Sequence, residues 1–138
     1  MSLSYEQKLA VNEFLARAAY AYDERDMAAL KRGFADNAVM SMRIAGGDLI
    51  GPFEGRDAIM GLMEGSMAEQ TDVRRHVVSN VFFEDSGEHP VAVSNLSLFA
   101  TENGKAALLA TGVYRDTLLE DGGEWRILKR HIDLDSPY

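Results

Sequence analysis

The chain has 138 residues, with 22 acidic against 14 basic side chains and no cysteine. That length suits one domain, residues 1–138, around a single core, and the missing cysteine excludes disulfides and thiolate metal sites and points to the cytoplasm. A net charge of −8 argues against nucleic acid, which needs a concentrated basic surface; no membrane is expected either, since no run reaches the roughly 20 apolar residues of a bilayer span and "MSLSYEQK" lacks the pattern of a secretory signal.

Ser4 with Gln7 three residues later fits a capping box. From there to about Tyr22, Leu9, Ala16 and Tyr20 share one helical face and Val11, Leu15, Ala18 and Tyr22 the next, which predicts a long helix with a wide buried stripe. Asp26 is placed to cap a second, short helix through "MAALKRGFA", where Met27, Leu30 and Phe34 follow helical spacing. "NAVMSMRI" reads as a strand ending at Gly46-Gly47, and "GPFEG" as punctuation. A third helix is predicted from Arg56 to about Glu69, with Ile59, Met60, Met63 and Met67 on one side. Its Gly61 and Gly65 each cost roughly 1 kcal/mol relative to Ala, so it must lean on a neighbour.

From Val73 the period changes to two, predicting strands at about 73–85, 90–102, 105–120 and 124–135. Asn103-Gly104 is the dipeptide of a type I′ hairpin, and Asp121-Gly122 marks the next reversal. Helices followed by such a meander call for an α+β fold. The expected arrangement is three helices packed on a strongly curved antiparallel sheet, forming a cone with an internal pocket.

Within "RRHVVSN", a regular strand would put His76, Val78, Asn80 and Phe82 on one face and Val77, Val81 and Phe83 on the other. Large apolar residues on both faces predict a covered strand, and a buried polar group without a partner costs roughly 1–3 kcal/mol. The candidate acceptor for His76 is Asp23, at the end of the first helix in "YAYDERD". Such a carboxylate fixes the tautomer and leaves the other ring nitrogen free to take a proton. Asn80 is open to two readings, a ligand contact or the residue that makes a bulge. Met60, Met63 and Met67 fit either core packing or a pocket wall of flexible thioethers.

His131, Asp133 and Asp135 in "HIDLD" are metal-compatible types on one strand face, but without a second histidine pair they read as a strand end or subunit contact. Arg115 and Arg130 are candidates to hold a carbonyl or leaving group, or simply to cover neighbours. Asn95 is a further candidate whose facing depends on register, and His89, before Pro90, reads as surface. Nucleophile-elbow, P-loop, dinucleotide and H-E-x-x-H patterns are all missing, so covalent, cofactor and metal chemistry are not what the residues point to.

The order of elements, with "YDERDMAALKRGFADNAVM", "GPFEGRDAIMGLM", "RRHVVSN" and "YRDTLLEDGGEWRILKRH", resembles the SnoaL-like domains of the nuclear transport factor 2-like superfamily over nearly the whole chain. It looks closest to the branch of scytalone dehydratase and hexachlorocyclohexane dehydrochlorinase. The resemblance implies a cofactor-free, metal-free cone, assembled as a homodimer or homotrimer, that takes a small apolar or aromatic molecule. In that branch an aspartate and a histidine at the positions of Asp23 and His76 form a proton-transferring dyad, which implies a dehydratase-like lyase or an isomerase. Tyr20, Tyr22, Asn80, Met60 and Met63 are the candidates for substrate contact. Scytalone dehydratase's second histidine has no equivalent here, so its substrate is not implied. The superfamily also holds scaffold proteins such as the small β subunit of aromatic-ring dioxygenases, which leaves a non-catalytic binding or scaffold role as the alternative.

Overall fold

The Ser4 hydroxyl accepts from the Gln7 amide at 3.1 Å and the Gln7 side chain accepts from the Ser4 amide at 2.9 Å, which closes the capping box. In the computed structural model, which describes residues 2–84 and 87–137, helix α1 then runs Tyr5–Asp23. Val11 and Leu15 are buried on its inner face. Leu9, Ala16 and Tyr20 instead face outward, so the buried stripe is narrower than predicted, as befits a helix with one packed side.

Asp26 caps α2, Met27–Arg32, by accepting from the Ala29 amide. This helix stops before Phe34, which was expected inside it. Gly33 ends the helix and its carbonyl accepts from the Ile127 amide, so the chain is already joining the sheet. Strand β1 is Phe34–Ile44, and the first four residues of "GPFEG" belong not to a plain turn but to β2, Ile50–Glu54, paired antiparallel with β1. Helix α3 spans Arg56–Glu69 and buries Ile59, Met60, Met63 and Met67.

The strands β3 (Val73–Glu84), β4 (Val91–Glu102), β5 (Lys105–Asp121) and β6 (Glu124–Leu134) follow their predicted spans, position 85 lying outside the described residues. Asn103 and Gly104 both have positive φ, as a type I′ turn requires. The next turn is centred on Gly122-Gly123, one residue later than predicted, with Asp121 opposite Glu124. Strand order is β2-β1-β6-β5-β4-β3. The β1–β6 pair is parallel, so the six-stranded sheet is mixed and not purely antiparallel, although β3 to β6 form the expected antiparallel meander. Helix α1 packs on β3 and α3 on β1 and β2, giving an α+β layer with the core between helices and sheet. No helix among the described residues is long and apolar enough to cross a membrane.

The faces of β3 differ from those of a regular strand. Register breaks between Ser79 and Phe82, where Asn80 takes φ 54°. Asn is among the few residues that tolerate this left-handed conformation, and the extra residue reverses the alternation. His76 and Val78 therefore face inward before the bulge, and Val81 and Phe83 after it, while Phe82 is left outside at 56% exposure.

Gly112 shows how tightly the sheet is built: a Cβ there would lie 2.5 Å from the Asp133 carbonyl and 3.2 Å from the Leu134 Cα. Gly112→Ala is expected to lose about 1–3 kcal/mol because backbone must move. Gly61→Ala, with open space around its Cβ, is expected to gain up to about 1 kcal/mol from helix propensity. Urea unfolding of both variants measures the contrast.

Candidate active site

Asp23 ends α1, and β3 is an edge strand, so its outward backbone amides lack a neighbouring strand. The Asp23 carboxylate fills that need. Oδ2 accepts from the His76 backbone amide at 2.8 Å, and Oδ1 lies 2.5 Å from His76 Nδ1. The side chains are 5% and 13% exposed respectively. With the carboxylate ionised, Nδ1 must carry the proton in the neutral ring, and Nε2 is the nitrogen that Asp23 does not engage. The Tyr22 ring meets the imidazole edge-on, with centroids 4.9 Å apart, and limits its rotation.

His76 lines a cavity of about 120 Å³ between the helices and the inner sheet face. Most of the wall is apolar, with Leu15, Met40, Met63, Leu98 and Ile132 among its residues, and the polar exceptions are His76, Tyr22, Ser66, Tyr114 and Arg130. Arg130 rises from β6 and is clamped by Asp116 of β5, with Nε to Oδ1 at 2.7 Å and Nη2 to Oδ2 at 3.0 Å. The Asp116 side chain is fully buried, and the guanidinium carbon sits 4.2 Å from the Tyr114 ring centroid. Burial alone would lower the Arg130 pKa; the Asp116 carboxylate reverses this and holds it above its ordinary value. The guanidinium is therefore a fixed cation, and its Nη1 stands outside the clamp.

The expected contacts divide. Asp23, His76, Tyr22 and Met63 come together at or beside the cavity. Tyr20 does not: it projects from α1 at 67% exposure, on the outward face that it shares with Leu9 and Ala16. Asn80 is exposed and makes the bulge. Met60 is core, packed beside Met63 but off the cavity wall. Asn95 also faces out, and His89 is half-buried, not exposed. His131 is tied to Ser41 at 2.8 Å and to Asp133 at 3.1 Å, while Asp135 accepts from Thr111. Among the described residues no three His, Asp or Glu converge as a metal site.

Tyr114 and Asp116 were not singled out from sequence. The available signal was an acid at an inward strand position in "YRDTL", flanked two residues away by Tyr114 and Leu118. Asp116→Ala leaves a buried guanidinium uncompensated and is expected to cost about 3–5 kcal/mol, whereas replacing both partners with apolar residues of similar volume costs much less. A double-mutant cycle in urea measures this.

Comparison with known proteins agrees with the fold. The SnoaL-like domain profile matches residues 4–131. No match was found among curated proteins. Aln2 from a Streptomyces species superposes with a TM-score of 0.82 at 23% identity, over 98% of this chain and 95% of that one. ActVI-ORFA from Streptomyces coelicolor gives 0.78 at 17% identity, over 93% and 97%. The β subunit of a putative aromatic-ring-hydroxylating dioxygenase from Novosphingobium aromaticivorans gives 0.80 at 17% identity, over 94% and 89%. Such identities establish shared fold and no more, but the profile spans nearly the full length: this chain belongs to the SnoaL-like domain family.

Proposed function

We propose that the protein is a cofactor-independent lyase or isomerase acting on a small apolar or cyclic substrate, with His76 as the base. The observation that carries this reading is the 2.5 Å contact from Asp23 to His76 Nδ1 on a ring that lines an apolar cavity. His76 Nε2 takes a proton from the carbon next to an activating carbonyl, and the C–H electron pair becomes the new C=C bond. In a dehydration the hydroxyl leaves from the neighbouring carbon and takes the same proton back as water; in an isomerisation the proton returns to another carbon. Asp23 holds the imidazolium between these steps, and Arg130 with the Tyr22 or Tyr114 phenol supports the oxygen that gains charge. Elimination of water is the natural outcome of this arrangement, in keeping with the dehydratase branch that the sequence resembles.

A second reading has its own observation. Val77, Phe82, Phe99 and Leu108 are each at least 40% exposed on the outer sheet face, a surface suited to burial against another subunit. This supports a homodimer or homotrimer, and by itself would also suit a scaffold like a dioxygenase β subunit. The cavity, and a His76 ring bonded to a carboxylate and not to backbone, favour the enzyme.

The kinetic test uses a panel of small cyclic β-hydroxy and β-halo ketones, followed by alkene absorbance and halide release. A folded His76→Gln variant is expected to lose about 10²- to 10⁴-fold in turnover of any accepted compound; unchanged turnover rejects the base. For assembly, sedimentation of Phe82→Glu should show a smaller species than the parent chain, and an identical mass would remove the outer face from the interface.

A further inference from the structure

The cavity has a charge balance that bears on what can enter it. Among the described residues, His76 and Arg130 are the ionisable side chains on its wall apart from the phenols of Tyr22 and Tyr114. Each is already matched by a buried carboxylate, His76 by Asp23 and Arg130 by Asp116. Two carboxylates against one guanidinium leave one negative charge when the imidazole is neutral, and none when it is protonated. In neither state is the site net positive. Arg130 therefore offers directed N–H groups without offering uncompensated charge, and the Asp116 clamp fixes which of its nitrogens remains for a ligand.

An anionic ligand entering such a cavity would lose its hydration, meet apolar walls, and stand near Asp116 and Asp23 with no free countercharge. A neutral ligand with one carbonyl oxygen loses far less hydration, suits the apolar walls and carries no charge for the carboxylates to repel. Its oxygen can accept from Arg130, and becomes negative only after His76 has taken a proton and turned positive. The negative charge on oxygen and the positive charge on imidazole then arise together, so the total charge of the filled site does not change during the step.

We infer that the site selects uncharged carbonyl compounds and rejects their carboxylate analogues, with the carboxylates of Asp116 and Asp23 setting this selectivity. The inference rests on the proposed proton abstraction for its biological meaning, but binding alone tests it. Acetophenone and benzoate have nearly the same shape and differ by one charge at neutral pH, so they isolate the effect. Titration of each, followed through the side-chain NMR signals of Met63 and His76, is expected to show acetophenone binding at least about tenfold more tightly. In Asp116→Asn the buried negative charge is gone, and the gap should narrow or invert. Because Asp116→Asn is the variant at risk of misfolding, Asp23→Asn serves as the second case, and it should narrow the gap in the same direction.

Benzoate binding as tightly as acetophenone to the parent protein would overturn the inference. So would failure of both compounds to shift these signals at their solubility limits, or an unchanged gap in a folded variant. None of these outcomes depends on turnover, so loss of the charge selectivity and loss of the His76 base remain separate results.

Discussion

The Asp23 carboxylate holds the end of α1 to the edge of the sheet through two bonds to one residue, the backbone amide and the ring nitrogen of His76. The first satisfies an edge-strand donor, and the second orients a side chain toward the cavity. The strand edge and the cavity-lining ring thus share a single partner. Its position also has a local cost, since a carboxylate at a helix C-terminus opposes the helix dipole, and the last turn of α1 contains no basic residue. The two bonds at His76 offset that penalty, which explains how an acid persists where helix preference would place a cation.

The opposite wall uses the same device in reverse. Arg130 is the buried cation and Asp116 its fixed partner, so both polar centres of an apolar cavity are pairs with buried carboxylates. Pairs of this kind add little net stability compared with apolar packing, yet breaking one is costly. Both pairs therefore fix the orientation of a cavity-wall side chain more than they add to the stability of the fold.

Much of the fold was legible because it rests on local rules. The Ser4 capping box, the Asp26 cap, the change of period at Val73 and the Asn103-Gly104 turn each specify their own element. What sequence hid was register. Counting back from the Gly122-Gly123 turn pairs Asp116 with Lys129; the extra residue at Leu128 moves the partner to Arg130 and creates the buried clamp. The bulge at Asn80 acts likewise, sending Phe82 out and bringing Phe83 in. Bulges depend on contacts across the sheet, so alternation alone misplaces every residue beyond them. The contact of His76 with Asp23 was legible because both precede these bulges and each bears a chemical anomaly, a histidine in an apolar strand and an acid at a helix end. Tyr20 was misplaced because the resemblance brought it to the pocket, whereas it shares the outward helical face of Leu9 and Ala16.

The proposed function requires Asp23 to make His76 an oriented base, with Nε2 left for a substrate proton. The ¹⁵N shifts of the His76 imidazole, measured at a pH where the ring is neutral, address this without any substrate. The expected result is a protonated Nδ1 beside Asp23 and an unprotonated Nε2. The opposite tautomer, with the proton on Nε2, would mean that Asp23 does not orient the ring and that His76 has no free lone pair toward the cavity.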